Sequence, residues 1–390
     1  MPVTPRQWSL VIALVGTFPS SAARAQDGAR RIPLVQGLVL GSVLHSPRAE
    51  REDVLEIASA DTSGVHYAWH ERTVTAEGDT TSGFRKRFVR ANDLAGAPRF
   101  DDIFGKDEVD RPGFTALSVS SAVYRQLREV GSTPFSMMVG PQSVSAADRT
   151  PAAFGAMFGQ QRTRYKGTLK RVSANPEPFS LIVNGERAAV PALHLHGDFA
   201  NGLKRSDWEL WVLADSAHPL LLKSVFGEDV FQMVRADFPV EPPAGKGAPP
   251  EGHAMLPAGE GTPPERQAMI RQLKERCRLE LPGIYFAFGT AAIDPISDRA
   301  LSELARILAQ HPEWTFTVEG HTDSVGTAAA NQALSRRRAE AVRARLAERH
   351  GVDTHAWGAV GYGATRPKES NATIEGRARN RRVELVRGCH

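Results

Sequence analysis

The chain has 390 residues, 41% of them hydrophobic and 24% charged. That is long enough for two packed cores, and the balance is foreign to disordered chains and to membrane helix bundles. With 48 basic and 44 acidic residues the net charge is +4, too small an excess to support binding to nucleic acid.

The first 25 residues have the layout of a secretory signal peptide. Arg6 is a basic lead, Trp8 to Phe18 is a short apolar run, and Ser20 to Ala25 is a small-residue cluster closing on an A-x-A pattern. Spanning a bilayer takes about 20 apolar residues, roughly twice this run, so export with Gln26 as the mature start is expected rather than an uncleaved anchor. No cysteine follows the cleavage point to carry a lipid. Losing Arg6 and Arg24 leaves 46 basic against 44 acidic residues. No later stretch is apolar enough to span as a helix.

Residues 26–238 are expected to form an antiparallel β-rich unit, a sheet or half-barrel. Short alternating or β-branched runs recur at Val65–Val74, Phe84–Val89, Ala116–Val123, Phe135–Val139, Thr168–Val172, Phe179–Val183, Ala192–His196, Trp208–Leu213, Leu220–Phe226 and Val230–Phe238. Asn184-Gly185 predicts a tight hairpin turn. Arg85, Lys86, Arg87, Lys170 and Arg171 interrupt the runs, which favours a water-facing sheet over an outer-membrane barrel porin. A lipid- or peptide-binding envelope module is the other alternative. His194 and His196 share one strand face, but no acid or cysteine stands at a linear spacing that completes a metal site, so no metal is expected. Without a nucleophile elbow, a P-loop or an H-E-x-x-H motif, neither an enzyme nor a cofactor is expected.

Residues 239–264 hold eight of the 26 prolines and five glycines. This predicts an extended, semi-rigid linker with a reach of about 80 Å.

Residues 265–390 predict a small mixed α/β unit in the order βαβαββ. A helix over Pro264–Lys274 precedes a strand at Gly283–Phe288. Asp294 caps the next helix with Pro295 at its first position, and Leu301, Leu304, Ile307 and Leu308 form that helix's apolar stripe. Further elements follow: a strand at Trp314–Val318, a helix at Asn331–Arg349, and strands at Trp357–Tyr362 and Arg381–Val386. Cys277 and Cys389 bracket this unit, and in an oxidising compartment an even pair predicts a disulfide.

Within this unit lies the series Gly320-His321-Thr322-Asp323-Ser324-Val325-Gly326, Asn331, Leu334-Ser335-Arg336-Arg337-Arg338-Ala339. It continues with Gly361-Tyr362-Gly363, Pro367, Asn371, Glu375-Gly376-Arg377 and Asn380-Arg381-Arg382-Val383-Glu384. In order and spacing it resembles the OmpA-like C-terminal domain family (OmpA/MotB) of Gram-negative envelopes, over about 281–387. The resemblance implies non-covalent binding of peptidoglycan through the diaminopimelate of its stem peptide. By motif position Asp323 and Arg338 are the paired ligands, with Thr322 and Asn331 beside them. Ala287 departs from the family, whose first strand often carries Asp there.

The residues' own pattern leaves two readings open. On a helix at about 100° per residue, Asn331 and Arg338 fall in the apolar sector of Leu334, Val342 and Leu346, while Arg336 and Arg343 point to solvent. An inward arginine needs a partner, and Asp323 is the natural one. The pair is then either a structural salt bridge or a clasp for a zwitterion, the acid holding an ammonium and the guanidinium a carboxylate. Arg336, Arg337, Arg343 and Arg345 are expected to form a solvated basic face. Overall the expectation is a periplasmic, wall-associated tether, in contact with peptidoglycan and with other outer-membrane components.

Overall fold

The computed structural model describes residues 32–46, 49–74, 80–139, 163–202, 204–239, 264–286 and 289–388. The signal-peptide region, the linker except for its end residues, Ala287 and Cys389 lie outside the described residues.

The N-terminal region is one long sheet of 13 described strands. β1 (Val39–Ser46), β2 (Ala49–Ala60), β3 (Gly64–Val74) and β4 (Thr80–Arg90) form an antiparallel meander. After α1 (Ala91–Gly96) come the short strands β5 (Arg99–Asp101) and β6 (Val109–Asp110), then α2 (Ser121–Glu129), β7 (Ser132–Val139) and β8 (Thr163–Arg171). The remaining strands are β9 (Glu177–Val183), β10 (Glu186–Asn201), β11 (Lys204–Leu213), β12 (Leu221–Phe226) and β13 (Asp229–Asp237). β13 pairs antiparallel with β1, joining the late strands to the early meander. Among the described residues β5 and β6 stand at the two ends of the pairing path, so the sheet is open.

Local chemistry explains most of these elements. Asn184 and Gly185 both take positive φ, 48° and 83°, as a type I′ hairpin between β9 and β10 requires. Trp208, Leu210 and Val212 of β11 face inward to a core shared with Leu193, Leu195 and Phe199 of β10, whereas Glu209 and Trp211 face out. The predicted strand at Ala116–Val123 is a correction. Ser120 accepts a hydrogen bond from Val123 N and starts α2, which buries Val123, Tyr124 and Leu127 on one side. The serine cap outweighs the alternating pattern. β2 went unpredicted because charges break up its apolar pattern, and β1 because Gly41 and Ser42 interrupt its apolar residues.

The C-terminal unit carries a four-stranded mixed sheet in the order β14-β17-β15-β16. Its elements run α3 (Pro264–Glu275), β14 (Arg278–Glu280), a 3₁₀ turn at Pro295–Ser297, α4 (Asp298–Ala309), β15 (Phe316–Gly320) and α5 (Ala328–His350). β16 (Gly358–Gly361), α6 (Ile374–Asn380) and β17 (Val383–Arg387) complete it. β15 and β16 are parallel, and β17 is antiparallel to both β15 and β14. Leu301, Leu304, Ile307 and Leu308 are buried against Val318, Val342, Leu346 and Leu385, as the stripe predicts, and Asp294 accepts from Ile296 N. The first strand is displaced from its predicted place. Pro282-Gly283, with φ +74° at the glycine, ends the chain's run through the sheet. Ile284 and Tyr285 pack instead as a buried loop, and Phe286 makes one bridge to Ile293. α6 was missed because its seven residues are mostly polar.

Candidate functional site

The site forms at the carboxyl end of β15, where Gly320 opens the loop to α5. α5 lies unusually close to the sheet. A Cβ on Gly320 would fall 2.0 Å from Ser335 O, and one on Gly361 would fall 2.3 Å from Arg336 N. Glycine at both positions lets helix backbone rest on strand backbone. Gly326, at φ +92°, turns the loop into the helix, and Thr327 caps it by accepting from Ala330 N.

The loop is held from inside. Asn331 Nδ2 donates to the carbonyls of Asp323 (3.2 Å) and Val325 (3.0 Å). Thr322 N donates to Gly363 O at 2.9 Å, and Ser324 N to Asn371 Oδ1 at 3.2 Å. Asp323 Oδ1 accepts from Val325 N at 3.0 Å, which leaves Oδ2 for another donor. Asn331 thus has a plain role: it shapes the loop that carries Asp323.

All four residues singled out by the motif come together, with exposures of 3% for Thr322, 7% for Asp323, 7% for Asn331 and 6% for Arg338. The expected direct pair does not form. No nitrogen of Arg338 lies within ion-pair distance of Asp323 among the described residues. Arg338 Nε donates to Thr290 O at 2.9 Å, and its guanidinium carbon sits 4.8 Å from the Phe286 ring centre. Its terminal nitrogens make no hydrogen bond to described residues. Burial pushes the Arg338 pKa down to about 10, with the nearby Arg381 adding to the drop and Glu52 and Asp323 opposing it. The side chain therefore stays cationic at neutral pH.

Two residues that linear inspection gave no role complete the cluster. Arg381, between α6 and β17, donates from Nη1 to Asp323 Oδ2 at 2.5 Å. Its Nη2 lies 2.5 Å from Oε1 of Glu52, which belongs to β2 of the N-terminal sheet. Arg381 stands inside the motif series, so its presence was visible but its direction was not. Glu52 carried no sequence signal at all, because only the packing of one region on the other brings it here.

The expected basic face is only partly free. Arg336 is exposed and pairs with Glu340 at 2.9 Å, and Arg337 is exposed. Arg343 instead donates to Trp357 O at 2.9 Å, and Arg345 to Asp298 at 2.8 Å, tying α5 to the rest of the unit.

Two clusters bring three metal-type ligand atoms within 4.8 Å of one another: His196, Asp198 and Asp207, and Glu319, His321 and Glu384. In the first, strand pairing supplies acids that linear spacing hid. His196 Nδ1 lies 2.7 Å from Glu209 Oε1 and its Nε2 3.1 Å from Asp198 Oδ1, while Lys170 also holds Asp198. In the second, Arg278 reaches both carboxylates, and Arg382 pairs with Glu384 at 2.5 Å. Burial, reinforced by Arg382, pushes His321 down to about 4, so it is neutral. The chain's own cations already serve Asp198, Glu319 and Glu384.

A mixed sheet, a helix seated on glycines and a buried cluster of charged side chains at the end of the central strand define a compact α/β unit. Residues 285–381 match the family model described as the OmpA family, and this segment is an OmpA-family domain. Over 101 residues the chain is 50% identical to outer membrane porin F of Pseudomonas aeruginosa, covering 26% of this chain and 29% of that one. Over 102 residues it is 40% identical to the peptidoglycan-binding protein ArfA of Mycobacterium tuberculosis, covering 26% and 31%. The peptidoglycan-associated lipoprotein from Burkholderia pseudomallei, a solved structure, is 33% identical, with 27% of this chain and 88% of that one aligned at a TM-score of 0.25. The chain thus spans under a third of the length of these two curated relatives.

Proposed function

We propose that the protein is exported and that its C-terminal domain binds peptidoglycan without covalent chemistry, through the zwitterionic end of diaminopimelate, tethering the N-terminal β region to the cell wall. Asp323 receives the ligand's ammonium, and Arg338 grips its carboxylate with two parallel N–H donors. Thr322 Oγ1, buried with no hydrogen-bond partner among the described residues, is a further polar group for the ligand. The family match and the printed name of the mycobacterial relative support the wall as target.

One observation carries this reading. Asp323 and Arg338 are both buried in the same cluster, yet they are not paired with each other: Asp323 bonds Arg381 instead. A purely structural salt bridge would have joined them; a two-point clasp keeps them apart. For the N-terminal region, the open pairing path supports a water-facing sheet over a closed barrel. The Cys277–Cys389 bond remains part of the proposal. Cys277 O accepts from Arg387 N at 2.8 Å, which sets the first cysteine two residues from the second in register.

The test is sedimentation of the full chain with purified sacculi. Wild-type protein is expected in the pellet. Asp323→Ala and Arg338→Ala are expected to stay in the supernatant with an unchanged circular dichroism spectrum. Full pelleting of both variants overturns the reading.

A further inference from the structure

The burial of Asp323 and Arg338 has a contributor in another part of the chain. Glu52 sits on β2, and Glu56 shares the same strand face four positions on. Glu52 reaches Arg381 at 2.5 Å, and it is also the acid that most favours the charge on Arg338. Glu52 therefore pairs with one guanidinium and favours the charge of a second, Arg338, from beyond ion-pair distance. Arg381 in turn fills the pocket side of Asp323. Together Glu52 and Arg381 present a carboxylate to Arg338 and a cation to Asp323, which is the charge pattern of an α-amino-acid end.

We propose that the N-terminal β region is an intramolecular competitor of the wall ligand, with the Glu52–Arg381 pair as surrogate zwitterion and the arrangement described here as the closed state. This rests on the assignment of Asp323 and Arg338 as the ligand clasp.

The surrounding contacts fit a seat that opens in water. His70 Nδ1 lies 2.9 Å from Asp294 Oδ1, and Arg299 donates to Gly37 O at 3.2 Å and lies 3.8 Å from Glu56. Gln232 Nε2 donates to Glu375 at 2.6 Å, Arg187 pairs with Glu369, and the Tyr285 hydroxyl donates to Asp237. The apolar part is small: Val43, Ile182 and Val234 against Ala378 and Ile374. The Arg299–Glu56 and Arg187–Glu369 pairs reach solvent on the arginine side and contribute little each, while His70–Asp294 and Tyr285–Asp237 are buried. An interface that gives up so little apolar area allows regions of one chain to separate. A ligand that binds only the open form sees its affinity reduced by the fraction of molecules that are open.

The experiment measures binding of the full chain to purified sacculi and to a soluble diaminopimelate-containing muropeptide, by sedimentation and calorimetry. Glu52→Gln removes the surrogate carboxylate's charge. Arg299→Glu, at an exposed rim position outside the pocket, loosens the same seat and guards against a folding defect in the first variant. Both are expected to bind both probes roughly tenfold more tightly than wild type, and adding Arg338→Ala to either is expected to erase the gain. Binding that is lost with Arg338→Ala but equal in wild type, Glu52→Gln and Arg299→Glu overturns the competitor while leaving the clasp standing. Absence of binding in all variants, including both loosened ones, overturns the clasp and the competitor together.

Discussion

Arg381 is held at 2.5 Å by two carboxylates at once, Asp323 from the loop after β15 and Glu52 from β2 of the other sheet. A single guanidinium thereby links the recognition loop of one region to a strand of the other. The site's charge state and the docking of the two regions are consequently one problem.

Replacing Arg338 by Lys keeps a positive charge and removes the planar fork. Two parallel charge-assisted bonds become one, so sacculus binding is expected to fall by about 10- to 100-fold, in line with about 1.5–3 kcal/mol for a hydrogen bond to a charged group. The thermal midpoint should stay close to wild type, because the Thr290 carbonyl and the Phe286 face still accept a cation. Retained affinity in Arg338→Lys would show that charge alone is recognised.

Gly320→Ala is expected to destabilise the C-terminal domain by about 1–3 kcal/mol or more, because the added methyl meets a helix carbonyl oxygen that cannot turn aside. Gly326→Ala is a control with no atom within 4 Å of the new Cβ. Its cost is the strained φ alone, on the order of 1 kcal/mol. Thermal unfolding of the two variants should rank Gly320→Ala well below Gly326→Ala.

Docking of the two regions should depend on pH through His70. Burial opposes its charge, but Asp294 and Glu56 outweigh burial and push it up to about 9. Arg299, next to Glu56, is the other charge at this seat. A raised pKa in the docked state means the contribution, on the order of 3 kcal/mol at most, is fully present below about 6.5 and lost as pH rises through about 9. Small-angle scattering should show the chain expanding between pH 6.5 and 9.5. His70→Asn should abolish that dependence.

The proposed Cys277–Cys389 bond closes a loop of about 100 residues, worth about 4–5 kcal/mol in the chain-entropy account. Reductant is expected to lower the unfolding midpoint of the C-terminal domain and to leave the N-terminal transition in place. Cys277→Ser should unfold at the reduced wild-type midpoint with or without reductant. Equal midpoints for oxidised and reduced wild type would refute the bond.

Much of the C-terminal domain was legible because its signals are local. The apolar stripe of α4, the Asp294 cap and the glycines flanking the loop each act within a few residues, and Asn331 and Arg338 fall on the inward face of α5 by helical spacing alone. In the N-terminal region β9, β12 and β13 were placed within a residue or two, since their apolar residues mark them, while β11 begins four residues before its apolar run. α2 was misread because Ser120 redirects an alternating run. What stayed hidden is non-local. That Asp323 bonds Arg381 rather than Arg338 depends on how α6 turns into β17, and the arrival of Glu52 depends on two sheets meeting. No spacing rule covers either.

The seating of α5 on Gly320 and Gly361 also bears on how the binding preference of such a domain can drift. The base of the site is main chain pressed against main chain, with only the small Ser335 hydroxyl between them. Specificity can therefore be retuned only around the mouth, at positions such as Phe286, Thr290 and Arg381, so divergence among related domains should concentrate in that ring while the floor stays fixed.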